Sequence, residues 1–264
     1  MKNFLSKIFN RKAAKPPEEI KKVSPHNIQL YEEPGTGQVV FKNLVLLGVD
    51  KTVMVDYGDL TLSPGDRMMI SGPAGCGKSA GLAAMRNAWL LGGSGEISVP
   101  PEVRFVAQEE YFPDRSLRGI ICAPDDEHAF TDAQVAQALT DAGLAEFIPD
   151  MNDQTKRGEY WKNTMSGGQK NKLSFAGIFL HADQVKVLVV DEITAALDVK
   201  SETILYPRLL ERMKHGIVIT VAHHATLSSL HNVFGVVADH KVTYTRTSET
   251  PVAAPPVAPK SPAP

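Results

Sequence analysis

The feature of this sequence that most limits its fold is the stretch SGPAGCGKSAG at residues 71–81, which follows the apolar run RMMI. Its spacing fits the pattern G-x-x-x-x-G-K-[ST], with Gly72 at its start and residues 77–79 at its end. Glycine tolerates the backbone angles that let a turn wrap an anion with its N–H groups pointing inward. A helix after such a turn directs its positive end at the same anion. The stretch therefore predicts a strand, a phosphate-binding turn and a helix.

Two side chains at the end of this turn indicate which anion it binds. Lys78 is expected to reach the β- and γ-phosphates of a nucleotide, and the Ser79 hydroxyl to bind Mg²⁺. The alternative is a glycine-rich turn that arose by chance, and the strand and helix patterns on either side of it argue against that. The sequence thus predicts a nucleotide phosphate site.

A second motif supplies carboxylates for the same site. The apolar run VKVLVV ends in Asp191 and Glu192. A carboxylate at the end of a strand can hold Mg²⁺, and the next one can polarise an attacking water. An ordinary apolar strand followed by a solvated acidic loop would have the same sequence pattern. The pair is interpreted as catalytic because the chain also contains the phosphate-binding turn.

The middle of the chain alternates between strand and helix patterns. Strands are predicted at VVFKNLVL, DRMMISG, EVRFVAQ, VKVLVVD, GIVITVAH and VFGVVAD, and helices at SAGLAAMRNAWLL and KSETILYPRLLERMK. Several strands are apolar throughout, as in a sheet that is covered on both faces. The pattern predicts an α/β fold with a mostly parallel sheet.

Composition excludes several classes of protein. With 264 residues and a formal net charge of -2, the chain offers no electrostatic case for nucleic acid as a partner. Its two cysteines, Cys76 and Cys122, lie far apart, which is typical of a reduced cytosolic chain without disulfides. No apolar run is long enough for a membrane-spanning helix, which needs roughly 18 residues or more.

The two ends differ from the middle. Residues 1–12 carry four basic residues and no acidic one, with apolar side chains at helical spacing. They predict either an amphipathic helix on an anionic membrane surface or a solvated terminus, and the sequence leaves both open. Residues 247–264 are rich in proline and alanine and predict a disordered tail.

A third motif identifies a family. The stretch MSGGQKNKLSFAGIFL, at residues 165–180, closely resembles the LSGGQ signature of ATP-binding-cassette (ABC) ATPases. Other marks of the family follow its order: Gln108 in FVAQEEYFP, the ALD that ends at Asp198, and His223 in VAHH. The sequence of these motifs most resembles that of the peroxisomal fatty-acyl and bacterial peptide or cobalamin exporter-like subfamily. The resemblance covers about residues 36–246.

This resemblance implies a role for each matching residue, with ATP and Mg²⁺ as cofactors. Glu192 resembles the general base, His223 the switch histidine at the γ-phosphate, and Gln108 a contact to Mg²⁺ and the attacking water. The metal would be held by Ser79, Gln108 and Asp191, and the catalytic set is Glu192, His223, Gln108 and Lys78. The nucleotide-binding residues would be Gly72, Pro73, Ala74, Gly75, Cys76, Gly77, Lys78, Ser79 and Ala80, together with Ser166, Gly167, Gly168 and Gln169.

The resemblance also implies how the chain is organised. The ABC ATPase domain would span residues 36–246, with the P-loop NTPase core, an antiparallel β portion near its start and a small helical subdomain at about 109–180. Residues 1–35 would form the basic terminus and a linker. An aromatic residue commonly stacks on adenine in this family, but residues 44–50 contain none, and Tyr57 is the nearest aromatic downstream.

Two classes of function follow from the resemblance. The first is the ATPase subunit of an ABC transporter: a head-to-tail dimer of two copies that drives a separate membrane-spanning subunit from the cytoplasmic face of a membrane. The second is a soluble ABC ATPase of DNA repair, cluster assembly or translation. The single cassette, the basic start and the absence of a basic stripe favour the transporter.

Overall fold

The computed structural model describes residues 21–23, 27–33, 35–106, 112–194, 197–222 and 225–247. Within them, eleven strands form one sheet in the order β1-β2-β6-β3-β4-β11-β10-β5-β9-β8-β7. The strands are β1 (Lys21–Val23), β2 (Ile28–Glu32), β3 (Val39–Leu47), β4 (Val53–Leu62), β5 (Arg67–Ser71), β6 (Gly93–Val99), β7 (Val103–Val106), β8 (Val187–Asp191), β9 (Ile217–Val221), β10 (Val233–Ala238) and β11 (Lys241–Arg246).

Helices connect and cover these strands. The α-helices are α1 (Lys78–Met85), α2 (Leu117–Ile121), α3 (Asp132–Asp141), α4 (Gly158–Thr164), α5 (Gly167–His181) and α6 (Val199–Arg212). Short 3₁₀ helices lie at Ala145–Asp150, Ala182–Gln184 and Ala225–Leu230. Four of the α-helices, α2 to α5, fall between β7 and β8, so the chain leaves the sheet at β7 and returns to it at β8.

The strands from β10 to β7 pair with one another only in parallel, whereas the rest of the sheet contains both antiparallel and parallel pairs. β10, β5, β9, β8 and β7 include four neighbouring pairs that are all parallel. β3 pairs antiparallel with both β4 and β6. The predicted α/β class, with a mostly parallel core and an antiparallel portion, is confirmed.

The parallel strands are apolar throughout because the sheet separates two hydrophobic cores. In β8, Val187 and Val189 face one core, which contains α1 and the antiparallel strands. Leu188 and Val190 face the other core, which contains α2 to α6. Successive side chains of a strand point to opposite faces, so both faces of β8 require apolar residues.

Helix ends follow local sequence signals. The hydroxyl of Ser166 caps α5 in a capping box with Gln169, and the carboxylate of Asp198 caps α6. The helix predicted at residues 79–91 was too long, because α1 ends at Met85. Asn87 there adopts a left-handed conformation with φ of 57°, which a helix cannot continue through.

The predicted terminal segments, residues 1–35 and 247–264, lie outside the described residues, apart from β1, the segment 27–33, Gly35 and Thr247. Across the described part of the chain, the helices are all too short or too polar to cross a bilayer.

A buried histidine anchors the chain where it returns to the sheet before β10. The Nδ1 of His231 lies 2.8 Å from the carbonyl oxygen of Leu227, and its Nε2 lies 2.9 Å from the hydroxyl of Tyr206. A carbonyl can only accept, so Nδ1 carries the proton and Nε2 accepts from the phenol. Burial lowers the pKa of His231 to about 4. The folded protein therefore keeps this ring neutral where the unfolded chain protonates it.

This arrangement predicts a loss of stability on acidification. A histidine with a lowered folded pKa contributes stability above its unfolded pKa and loses it as the pH falls toward the folded value. From about pH 7.5 to about pH 5, His231 should reduce the free energy of unfolding by about 2 kcal/mol. Urea unfolding at both pH values should show that His231→Gln removes this part of the pH dependence. His215→Gln, at an exposed histidine, is the control and should leave the dependence unchanged. Equal pH dependence in His231→Gln and the wild type would contradict the assignment.

Candidate nucleotide-binding site

The turn between β5 and α1 is shaped by three glycines with positive φ, two of which leave no room for a side chain. Gly72, Gly75 and Gly77 have φ values of 147°, 74° and 102°. A Cβ on Gly72 would lie 2.7 Å from the carbonyl oxygen of Val237, and one on Gly77 would lie 2.7 Å from Cγ1 of Val55. The turn therefore lies directly against the sheet beneath it, and its curvature requires glycine.

Lys78 places its ammonium group inside this turn. Its Nζ donates to the carbonyl oxygens of Gly72, at 2.9 Å, and Pro73, at 2.8 Å. The residue is only 7% exposed. An ammonium has three donors, so the loop fixes the position of this charge and leaves one donor for a ligand. A nearly buried cation of this kind favours an anion in the turn.

The predicted metal ligands Ser79 and Asp191 are brought together. The Ser79 hydroxyl lies close enough to the Asp191 carboxylate to lower its pKa, although 112 residues separate them in sequence. Burial, and next the charge of Glu192, raise the pKa of Asp191, while Ser79, Arg86 and Lys78 oppose that shift. This carboxylate lies at the end of β8, beside the first turn of α1.

The Ser79 hydroxyl oxygen and the Asp191 carboxylate could bind Mg²⁺ together with a phosphate ligand. They are too few to hold a metal ion through protein groups alone. Among the residues that the structure describes, no group of three or more His, Cys, Asp or Glu side chains could hold a metal ion. Mg²⁺ is commonly bound by one or two protein oxygens together with phosphate oxygens and water. A hydroxyl and a carboxylate next to a phosphate-binding turn match that pattern.

Glu192 follows Asp191 in an unusual backbone conformation. Its φ is 52°, in the left-handed region, and its N–H donates to the carbonyl oxygen of Val221 at 3.1 Å. The parallel ladder between β8 and β9 thus continues through the backbone while the chain turns sharply. A left-handed residue that is not glycine costs roughly 1–2 kcal/mol, and such strain clusters at functional sites.

The signature residues form the start of α5. The Ser166 hydroxyl accepts from the N–H of Gln169 at 3.3 Å, and the Gln169 side-chain oxygen accepts from the N–H of Ser166 at 2.9 Å. Gln169 also donates to Glu146 at 3.3 Å. This capping box uses the serine hydroxyl as an acceptor, so its O–H proton can still be donated to a ligand.

Several predicted residues have other outcomes. Gln108 and His223 lie outside the described residues, so their predicted roles stay predictions. Tyr57 is not available to stack on adenine, because it is 1% exposed and its hydroxyl bonds to the backbone of α1. Sequence analysis suggested Tyr57 only as the nearest aromatic residue for stacking on adenine, and it did not predict the contact of Tyr57 with the turn.

Comparison with known protein families finds one match that covers the site. A family described as "ABC transporter" matches residues 55–195, more than half of the chain. The match runs from β4 through the phosphate-binding turn, α5 and the Asp191–Glu192 pair.

Individual relatives are longer than this chain. An uncharacterized ABC transporter ATP-binding protein of Haemophilus influenzae is 28% identical over 204 residues, which are 77% of this chain and 33% of the relative. ATP-binding cassette sub-family D member 3 of Mus musculus is 26% identical over 219 residues, 76% of this chain and 32% of the relative. The chain thus spans about a third of the length of the curated relatives it matches.

A solved structure shares the fold. The structure of a bacterial Atm1-family ABC exporter with ATP bound superposes with a TM-score of 0.68 at 19% identity, over 85% of this chain and 41% of that one. At this identity the match shows the fold alone, and the family match over residues 55–195 carries the assignment to a family.

The geometry of Lys78 predicts that its removal weakens nucleotide binding. Lys78→Ala deletes a charge-assisted contact worth roughly 1.5–3 kcal/mol, so the Kd for Mg-ADP should rise about 10- to 100-fold in isothermal titration calorimetry. Lys214→Ala, at an exposed lysine paired with Glu211, is the matched control and should leave the Kd unchanged. If Lys78→Ala folds and binds Mg-ADP as tightly as the control, the ammonium does not contact phosphate.

Proposed function

The chain belongs to the ABC transporter family, and we propose that it is the ATP-hydrolysing subunit of such a transporter and drives a separate membrane-spanning subunit. The observation that carries the proposal is the convergence of Lys78, Ser79 and Asp191 at one end of the sheet. A fixed cation, a hydroxyl and a carboxylate next to a turn of backbone N–H groups suit a nucleotide triphosphate with its metal.

The residues of the turn would bind and orient the phosphate chain. The N–H groups of residues 75–79 and the positive end of α1 attract the β- and γ-phosphates. Lys78 adds its remaining donor to the same oxygens. Mg²⁺, held by Ser79 and Asp191, would neutralise charge that develops on the phosphates as the terminal bond breaks.

Glu192 is proposed as the general base for hydrolysis. A water oxygen forms a bond to the γ-phosphorus, the bond from that phosphorus to the β,γ-bridging oxygen breaks, and the water gives a proton to the Glu192 carboxylate. ADP and inorganic phosphate are the products. Gln108 and His223 would complete the site by contacting the metal and the γ-phosphate, as their positions in the family pattern imply.

The signature glycines support a site that is shared between two chains. A Cβ added to Gly167 or Gly168 would meet nothing within 4 Å in this chain. Glycine costs roughly 1 kcal/mol relative to alanine in a helix, and packing within the chain does not require it at these positions. Close approach of a group from outside the chain would explain both residues. We take that group to be the γ-phosphate of ATP bound to a second, head-to-tail copy.

The start of α6 has the character of a surface that pairs with another chain. Asp198 caps the helix through Ser201 and is exposed, and Val199 beside it is 72% exposed. Asp198 belongs to the ALD motif, which the family pattern places across the dimer. An exposed apolar side chain next to that residue fits burial against a partner.

The membrane-spanning subunit is proposed to contact the helical part between β7 and β8. Phe112 packs against the core of this part, whereas Tyr160 on α4 is 43% exposed beside the buried Trp161. The proposed location is the cytoplasmic face of a membrane, as a peripheral protein. The transported substrate would be selected by the membrane subunit.

Loss of the base should separate binding from hydrolysis. In Glu192→Gln the amide cannot accept a proton from water, so phosphate release should fall by at least about 100-fold. The Kd for Mg-ATP should stay within about two-fold, since the residues of the turn are unchanged. Glu159→Gln, which neutralises a carboxylate in the first turn of α4, is the control and should retain full activity. Undiminished turnover in Glu192→Gln would remove Glu192 from the role of base.

The shared site predicts an ATP-dependent dimer. In size-exclusion chromatography with light scattering, Glu192→Gln should be a monomer without nucleotide and a dimer with Mg-ATP. Adding Gly168→Ala should raise the thermal stability of the nucleotide-free chain, because alanine favours the helix by roughly 1 kcal/mol and meets open space. The same change should weaken the dimer, because its methyl group would face the second chain's phosphate. A dimer unaffected by Gly168→Ala would contradict the shared site.

A further inference from the structure

Strand β4 forms the floor of the phosphate-binding turn. Val55 lies beneath Gly77, where an added Cβ would approach its Cγ1 to 2.7 Å. Tyr57, two residues further on the same face of the strand, is 1% exposed and lies beneath the first turn of α1. Its ring packs edge-on against Phe41, with the centroids 5.8 Å apart.

The Tyr57 hydroxyl bonds to the backbone of that first turn. It lies 2.8 Å from the carbonyl oxygen of Gly77 and 2.7 Å from that of Lys78. The N–H of Gly81 donates to the phenol oxygen at 3.2 Å. One side chain from a distant strand therefore shares its single O–H proton between the two carbonyls at the start of α1 and accepts from the N–H of Gly81.

The two carbonyls belong to the peptide units that bind phosphate. A peptide unit is planar and trans, so its C=O and N–H point in opposite directions. The carbonyl of Gly77 shares a plane with the N–H of Lys78, and the carbonyl of Lys78 shares one with the N–H of Ser79. A donor that holds both carbonyls down against β4 keeps both N–H groups directed up into the turn. A hydrogen bond to a carbonyl also polarises its peptide unit and strengthens the N–H as a donor.

Gly81 makes room for this contact. A Cβ at this position would lie 2.4 Å from Cζ and 2.6 Å from the hydroxyl oxygen of Tyr57. Any other residue would push the phenol away from the turn. Glycine inside a helix is unfavourable by roughly 1 kcal/mol, so its presence here fits a requirement for the tyrosine.

We propose that Tyr57 is a positioning residue for nucleotide binding: its hydroxyl orients the Lys78 and Ser79 N–H groups toward the phosphates, and Gly81 admits it. The inference rests on the proposed nucleotide site and adds to it a residue on β4, outside the turn. Burial raises the pKa of Tyr57, so the phenol keeps its proton as a donor across the working pH range.

The test compares the buried Tyr57 with the partly buried Tyr244, because their hydroxyl groups bond to different parts of the backbone. Tyr57→Phe deletes the hydroxyl and keeps the ring. Tyr244→Phe is the matched control, since its hydroxyl donates to the carbonyl oxygen of Tyr57 at 2.9 Å but does not reach the turn. Calorimetric titration with Mg-ADP, steady-state ATP hydrolysis and thermal unfolding are measured for the wild type and both variants.

If the proposal is correct, Tyr57→Phe binds nucleotide more weakly than Tyr244→Phe, even when both variants lose the same thermal stability. Tyr57→Phe should raise the Kd for Mg-ADP and the KM for ATP about 5- to 10-fold, with kcat within about two-fold, because the N–H groups hold substrate and transition state alike. Tyr244→Phe should leave both constants within about two-fold, even where it lowers the melting temperature as much. Equal shifts in the two variants, or none in Tyr57→Phe, would overturn the proposal.

Gly81→Ala provides a second route to the same contact. Its methyl group displaces the phenol while the tyrosine remains, so the Kd should rise as in Tyr57→Phe. In the variant that carries both changes, the loss of binding free energy should be smaller than the sum of the two single losses. A folded Gly81→Ala protein with wild-type Kd would contradict the proposal. A wild type that binds no Mg-ADP would instead refute the nucleotide site itself, so the two failures are distinct.

Discussion

The whole site depends on holding a short glycine-rich turn of backbone tightly against the sheet. Lys78 bridges the turn by donating to the carbonyls of Gly72 and Pro73, while Val237 and Val55 leave no room for a Cβ at residues 72 and 77. The ammonium and the loop fix one another, so the cation is in place before any phosphate arrives. A site organised in advance loses little free energy to rearrangement when it binds its ligand.

The sheet brings the other functional groups to that turn. β9 pairs in parallel with β5, and β8 pairs in parallel with β9, so the chain leaves each of them at the same edge. Asp191 therefore lies near Ser79 although the two are far apart in sequence. The two apolar cores hold this edge from both faces. The left-handed backbone of Glu192 then redirects the chain directly after Asp191, the proposed metal ligand. Local strain is thus located where the parallel ladder ends and the proposed chemistry begins.

Much of this could be predicted from sequence, because the signals are local. The glycine spacing, the DE pair after an apolar run and the SGGQ cap each depend on a few adjacent residues, and the predicted parallel strands were correct. β1, β2, β4, β6 and β11 were missed. β4 and β6 contain glycines and charged residues and bend at left-handed positions such as Gly58 and Gly95. The contact of Tyr57 with Gly81 could not be predicted either, since it depends on which strand lies beneath α1. The residue pattern of a segment predicts its own secondary structure, but it does not predict which other segment packs against it.

The central claim is that this phosphate site completes its chemistry only when two chains meet. The most direct measurement is the specific ATPase activity of the wild-type protein across a wide range of protein concentrations. The account predicts that activity per chain rises with concentration and levels off where the dimer is fully formed. The reason is that the start of α5 in each chain would complete the nucleotide site of the other chain. Constant specific activity down to concentrations at which light scattering shows only monomers would contradict it.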